Sequence, residues 1–390
     1  MNPDSSITIG IVAGEASGDQ LGAGLIFALR KRYPNARFEG VGGEKMIAEG
    51  FHSLYSMERL SVMGIVEPLK RLPELLRMRS NLYKHFRDTK PALFIGIDSP
   101  DFTIHLEGKL RRAGITTAHY VSPSVWAWRQ GRVKTIGRSV DHILTLFPFE
   151  SRFYQQHGVP ETCVGHPLAD KLPMENDTAV AREQLGLTGD QPLLALLPGS
   201  RGSEVAQLGL LFLQVAEKLQ QQVAGIRFVI PAANLHRRQQ IDELVKQFPS
   251  LDITVTDGNA LLAMAASDSL LVASGTVTLE AMLLKKPMVV SYRMGKFSYA
   301  IFSRLVKVPH VALPNLLADK RLVPELIQDD ATVENIASEL LNYLNNSQHT
   351  DQLKEAFTEL HQLLRRNASE TAANALANLI ENDPTQSLAP

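Results

Sequence analysis

The chain has 390 residues, more than one typical core of roughly 100 to 200 residues accommodates, so two domains are expected. Forty basic side chains stand against 41 acidic ones, a net charge of −1, which excludes a surface built throughout for nucleic acid. The single cysteine, Cys163, excludes an internal disulfide framework and a multi-cysteine zinc site, and fits a reducing compartment and a place as buried filler. The first residues, MNPDSSITIGIVAG, enter a strand without the basic and apolar regions of a signal peptide. No apolar run approaches the roughly 20 residues that cross a bilayer, so a soluble or peripheral protein is expected.

In chain order, the first half alternates β-rich runs with helical stretches, and strands are expected at Ile7–Ala13, Arg37–Val41, Ala92–Ile97, Thr116–Val121 and His142–Leu146. Continuous apolar runs such as ALFIGI suit a parallel sheet covered on both faces. The scheme repeats at Leu193–Leu197, Arg227–Ile230, Ile253–Val255, Ser269–Val272 and Met288–Ser291, which reads as two doubly wound α/β units. Turn signals are densest over Gly165–Asp190, the expected linker. After Asp330 the pattern is helical only, with helices expected over Val333–Leu344, Gln352–Arg365 and Ser369–Ile380. The expected division is 1–170, 171–365 and a C-terminal helix and tail, 366–390, returning to the first domain. Two such domains facing each other would form a cleft at the carboxyl ends of their strands.

Twice a strand runs into a glycine-containing turn that opens a helix, and the turns differ in charge. The first, ITIGIVAGEASGDQLG, places Glu15 and Asp19 in the loop; the second, LLALLPGSRGSEV, places Arg201 beside Gly199, Ser200 and Gly202. Helix starts present unpaired N–H groups and a positive dipole end, so the second turn suits a phosphate and the first suits hydroxyls. The first turn lacks the G-x-G-x-x-G spacing of a dinucleotide site, and no G-x-x-x-x-G-K-[ST] sequence is present. In VASGTVTLEAMLLKKP a strand ends at Ala273, Ser274, Gly275 and Thr276 form a turn, and Glu280 lies one turn into the next helix. There it either accepts both ribose hydroxyls of a nucleoside or marks an ordinary helix start with Ser274 or Thr276 as its cap.

The segments IVAGEASGD, GIDSPDF, HYVSPSVWAWRQGR, LLPGSRGSE, ASGTVTLE and SYRM together resemble the lipid-A-disaccharide synthase family, inverting glycosyltransferases of the Gram-negative outer-membrane lipid pathway. The resemblance runs from Ile7 to about Ala373. It implies a two-domain GT-B architecture with UDP on the C-terminal domain and the acceptor on the N-terminal one. The implied reaction joins UDP-2,3-diacylglucosamine to 2,3-diacylglucosamine 1-phosphate, on the cytoplasmic face of the inner membrane, without a metal or other cofactor and without nucleic acid. A homodimer is compatible with it.

An inverting displacement needs a base on the face opposite the leaving UDP. Asp98, at the tip of ALFIGID, is either that base or the cap of the next helix, and Asp101 competes for both roles. Arg201 is the candidate to stabilise charge on the departing diphosphate, since the chain has no D-x-D pair of the metal-dependent type. Tyr292, Arg293 and Asn315 follow predicted strands and are further donor-side candidates; Glu15, Ser17, Gly18 and Asp19 are the acceptor-side ones, with Ser17 alternatively a helix cap. Isolated histidines, His119 and His166 among them, lack metal-ligand spacing. Trp126 and Trp128 suit core packing as well as a site.

In MGIVEPLKRLPELLRMRSNLYKHFR, Val66, Leu69, Leu72, Leu75 and Leu76 lie at near-helical spacing among Lys70, Arg71, Arg77 and Arg79. This is either a membrane-docking face or an ordinary core stripe, and Pro68 and Pro73 are expected to break it into shorter helices. Alternatives on the same architecture are a UDP-N-acetylglucosamine epimerase or the peptidoglycan glycosyltransferase. A non-catalytic nucleotide-binding, membrane-associated protein is the alternative from another class.

Overall fold

The computed structural model describes residues 7–60, 66–295, 299, 304–306 and 308–382, and of 66–70 the backbone alone. The chain divides into two compact units: residues 1–170 with 364–390, and residues 171–363.

Unit 1 contains β1 (Thr8–Ala13), β2 (Arg37–Gly42), β3 (His52–Ser56), β4 (Leu93–Ile97), β5 (Thr117–Tyr120), β6 (His142–Thr145) and β7 (Glu161–Cys163). They form a parallel sheet in the order β3-β2-β1-β4-β5-β6-β7, with Ile9 beside Leu93 and Ile97 beside Tyr120. Unit 2 contains β8 (Leu193–Leu197), β9 (Arg227–Ala232), β10 (Ile253–Asp257), β11 (Ser269–Ala273), β12 (Met288–Tyr292) and β13 (Glu325–Ile327), ordered β10-β9-β8-β11-β12-β13 and also parallel. The central strands LFIGI and LLALL are buried along their whole length, because helices cover both faces of a doubly wound sheet. Strand order reverses between β1 and β4 and between β8 and β11, where such sheets place ligands.

The edge strands β3, β7 and β13 were not foreseen from the sequence. HSLYS, ETC and ELI are short and mixed in polarity, because an edge strand has one pairing side and less apolar cover. Cys163, on β7, is half-buried and does not fill the core.

The closing helix, Ala368–Glu381, belongs to unit 1 and lies against helix Ala16–Arg32. Ala372, Ala373, Leu376, Ala377 and Ile380 join the core of Leu25, Ile26 and Leu29. Each Leu or Ile so buried stabilises the unit by about 1.5–3 kcal/mol. Lys31 pairs with Glu370, Arg32 with Glu381 at 2.7 Å, and the Tyr33 hydroxyl donates to Glu381 at 3.1 Å. Burial, reinforced by that carboxylate, pushes the Tyr33 phenol up to about 12. Asp170 accepts the N–H groups of Asn367 and Ala368 at 2.9 and 2.7 Å, satisfying donors that open the helix.

Residues Val66–Thr89 form one continuous helix, against the expectation of shorter pieces. Pro68 lies in the first turn, where its missing N–H would be unpaired anyway, and Pro73 is on the exposed face, where water solvates the freed carbonyl. Leu75 packs with Met78, Leu82 and Phe86 in a core cluster and is no part of an exposed face. Leu72 and Leu76, four residues apart, are each 46% exposed. The side chains of Val66 and Leu69 lie outside the described residues. No helix among the described residues is long and apolar enough to cross a membrane.

Candidate active site

In unit 2 a cavity of about 350 Å³ opens at the carboxyl ends of β8 and β11. Gly199, Ser200, Arg201 and Glu204 line one wall, and Ser274, Gly275, Thr276 and Glu280 the other; Ala232 and Gly258 close it from the side of β9 and β10. Gly275 has φ +153, and a Cβ there would meet nothing within 4 Å, so its backbone faces open space and a ligand can approach it closely. Helix Val277–Leu283 begins without a side-chain cap from Thr276, so neither Ser274 nor Thr276 serves as the hydrogen-bonding cap. The Thr278 hydroxyl instead donates to the Gly275 carbonyl at 2.8 Å and braces the turn. Burial raises the Glu280 carboxyl above its ordinary range, as suits an acid set against an enclosed polar ligand.

The turn at Gly199–Gly202 differs from a free phosphate cradle. Glu204 folds back and accepts the N–H groups of Ser200 and Arg201, each at 3.1 Å, and pairs with the Arg201 guanidinium at 2.9 Å. Gly199, at φ +120, is required because a Cβ would lie 2.5 Å from the Glu204 side chain. Arg201 stands at the rim, 77% exposed. Glu204 was missed in the sequence, although its place three residues beyond Arg201 is the signature of a carboxylate returning to its own helix start.

The other donor-side candidates are not brought into this cavity. Asn315 is fully buried, and all four of its hydrogen-bonding positions are filled: it donates to Val323 and Glu325 and accepts from the N–H groups of Leu322 and Val323. Arg293 donates to the Ala331 carbonyl, and neither it nor Tyr292 lines the cavity. These residues tie the end of β12 and the following loops together, which is a structural duty.

The corresponding point of unit 1 is packed. A Cβ on Gly14 would lie 2.1 Å from the Ser99 hydroxyl, so the turns after β1 and β4 are in direct contact. Asp98 and Ser99 both adopt left-handed backbone conformations, φ +54 and +47, a strained pair for residues other than glycine. Asp98 accepts the Ser99 N–H at 2.8 Å, and helix Pro100–Arg112 has no side-chain cap, so Asp98 is not its cap. Asp101 is 87% exposed and bound to Arg132 at 2.8 Å.

Glu15 and Ser17 are exposed at the start of helix Ala16–Arg32, where Glu15 holds the cap position and Ser17 lies within the first turn. Asp19 and Gly18 are corrections. Asp19 is 5% exposed, and its carboxylate accepts N–H groups from Gly43, Lys45 and Met46 at 2.9–3.0 Å, bracing the start of helix Glu44–Ala48. Gly18 is buried against Ala13 and Ile97. Trp126 packs edge-on to Phe149 beside a core cluster, and Arg129 stacks on Trp128 at 4.4 Å.

The family model described as lipid-A-disaccharide synthetase matches residues 9–376. The chain belongs to that family. The lipid-A-disaccharide synthase of Cellvibrio japonicus is 55% identical over 96% of this chain and 97% of its own length, and that of Pseudomonas aeruginosa 53% identical over 96% and 98%. Among solved structures, the UDP-GlcNAc 2-epimerase of Neisseria meningitidis bound to UDP-GlcNAc aligns with TM-score 0.59 at 14% identity, over 96% of this chain and 100% of that one. Acinetobacter baumannii MurG aligns with TM-score 0.60 at 15%, again over 96% and 100%. At those identities the likeness concerns the fold, two Rossmann-like units of the GT-B kind. The residues that form the cavity in unit 2 all fall within the family match.

Proposed function

We propose that this member of the lipid-A-disaccharide synthetase family transfers 2,3-diacylglucosamine from UDP to 2,3-diacylglucosamine 1-phosphate, releasing UDP and forming the β-1′,6-linked disaccharide 1-phosphate. The observation that carries the reading is the cavity between the Gly199 and Gly275 turns, with Glu280 enclosed at its side. Open backbone beside Gly275 suits a diphosphate, and an enclosed carboxylate suits paired ribose hydroxyls. Arg201, swinging from Glu204 to the β-phosphate, offsets the charge that develops as UDP leaves. Asp98 takes the proton of the attacking hydroxyl, and Glu15 and Ser17 hold acceptor hydroxyls.

Both substrates carry acyl chains, so the enzyme works as a peripheral protein at the cytoplasmic leaflet. Leu72 and Leu76 form an exposed apolar pair on helix Val66–Thr89, and Arg77 beside them meets anionic headgroups. Arg71 is partly neutralised by Glu74. Flotation of Leu72→Ser/Leu76→Ser with anionic liposomes is expected to fall severalfold; unchanged flotation of a folded variant excludes this face as the contact.

The decisive experiment incubates the purified chain with both acylated substrates, with and without EDTA. Disaccharide 1-phosphate and UDP are expected in equal amounts in both arms. Absence of disaccharide overturns the reaction, and loss in EDTA overturns its metal-free form.

A further inference from the structure

The cavity of unit 2, taken as the seat of a diphosphate, is short of positive charge. Among the described residues that line it, Arg201 is the one cation, whereas Glu204 and Glu280 are both acidic. Glu204 already holds the Arg201 guanidinium at 2.9 Å. A diphosphate brings several negative charges to a wall whose own balance is negative, and like charges at close range disfavour binding. A further cation is needed on the Arg201 side.

Arg237 meets that need by position. It lies in helix Leu235–Val245, which follows β9 and Ala233, a residue of the cavity wall. Two hydrogen bonds fix the start of this helix: the Asn234 side chain accepts the Arg237 N–H at 3.0 Å, and Gln240 Nε2 donates to the Gly202 carbonyl at 3.1 Å. Gly202 opens helix Gly202–Gln220, directly after Arg201. The three atoms that a Cβ on Gly202 would meet first all belong to the Arg237 guanidinium, at 2.5, 3.1 and 3.2 Å. Gly202 does not adopt a positive φ, and alanine is the better helix former, so the backbone does not call for glycine here. What the glycine provides is room for a guanidinium beside the Arg201 turn.

That guanidinium has no partner. Arg237 Nε is buried without a hydrogen bond, and no hydrogen bond or ion pair to the group is made among the described residues. Its neighbour Arg238 shows the ordinary alternative, bound to Asp242 at 3.0 Å and to Asp257 at 3.1 Å. A half-buried charge without a counter-ion is unfavourable, because nothing offsets its lost hydration. An anion arriving at the Arg201 turn supplies the missing partner.

We infer that Arg237 is a second diphosphate-binding arginine of this site, reaching the leaving group from the β9 side while Arg201 serves it from the turn after β8. The inference deepens the proposed function and rests on the cavity being a UDP-sugar site. Arg237 stands just behind the cavity wall, and its unbonded fork can extend past Gly202, where a guanidinium suits two phosphate oxygens at once. Unlike Arg201, it gives up no ion pair to do so.

Titration of the full chain with UDP, by calorimetry, and with uridine, by saturation-transfer NMR, tests this. Arg237→Gln is expected to weaken UDP about 10- to 100-fold, since the lost contact is a hydrogen bond between charged groups, while uridine affinity and Tm stay as in the wild type. Arg237→Lys, which keeps the charge without the fork, is expected to fall between the two. Gly202→Ala leaves Arg237 in the chain but pushes its guanidinium aside, so it too is expected to weaken UDP, and to add no further loss in the Arg237→Gln background. Additive losses, equal loss of UDP and uridine, or unchanged UDP affinity in Arg237→Gln each overturn the inference. So does a change confined to KM for the acceptor, which assigns Arg237 to the acceptor phosphate instead. The wild type separates the two levels: a chain that does not bind UDP removes the proposed reaction and the inference together, whereas wild-type UDP binding that survives intact in Arg237→Gln removes the inference alone.

Discussion

The two units place the same topological feature under opposite conditions. At the β8–β11 switch point the turns are glycine-opened and enclose a cavity, whereas at the β1–β4 switch point Ser99 fills the space in front of Gly14 and the backbone of Asp98 and Ser99 is strained. The first arrangement admits a ligand between its turns; the second presents side chains outward from a packed base. One parallel fold thereby supplies a container and a platform: Gly275 faces open space, whereas Gly14 faces the Ser99 side chain.

The sharpest way to break that contrast is on the platform. Asp98→Asn keeps shape and the Ser99 N–H contact but removes the base, and kcat is expected to fall about 10² to 10⁴-fold with substrate binding retained, as read by steady-state kinetics and UDP-sugar titration. An isosteric change in the container acts differently. Glu280→Gln is expected to raise KM for the UDP-sugar about 10-fold or more while kcat changes little, because a charge-assisted hydrogen bond contributes about 1.5–3 kcal/mol.

A smaller pair of effects separates the two acids of the first turn. Asp19→Ala removes the acceptor of three N–H groups, that of Met46 buried, and is expected to lower unfolding free energy by about 1–3 kcal/mol in urea titration with acceptor KM unchanged. Glu15→Gln is expected to do the reverse, raising acceptor KM at constant Tm. If Asp19→Ala instead spared stability and impaired acceptor binding, the platform would extend inward to that carboxylate.

The smallest effect is on pH. Burial lowers the His166 pKa from 6.5 to about 4, although Asp170 opposes this. Between those values the unfolded chain takes up a proton that the folded chain refuses, so stability contributed by the neutral ring is present above about 6.5 and is lost as pH falls toward 4. His166→Asn, whose side-chain carbonyl can replace Nδ1 in accepting the Leu168 N–H, is expected to flatten the decline of Tm with acidification.

The central strands were legible in the sequence because a strand buried on both faces must be apolar throughout. The edge strands β3, β7 and β13 were not, since HSLYS, ETC and ELI satisfy no such demand. Strand-end turns were equally legible, and two of them bring Arg201 and Glu280 to one cavity, while Asp98 directly follows β4; the chemical duty given to each is a proposal. What could not be read was the partner. Asp19 and Asn315 look like ligands in sequence, yet their hydrogen bonds go to N–H groups brought in from other elements. His119 reads as an isolated histidine in the sequence, yet helix Pro100–Arg112 brings Glu107 to its Nδ1 at 2.8 Å.

The return of residues 364–390 to unit 1 also governs how the protein is made. The ribosome releases the apolar face of helix Ala16–Arg32 long before its cover, because residues 171–363 are synthesised in between. At about 5–20 residues per second that interval is on the order of 10 to 40 s. During it the nascent first unit carries an unsealed hydrophobic seam, closed only when helix Ala368–Glu381 emerges.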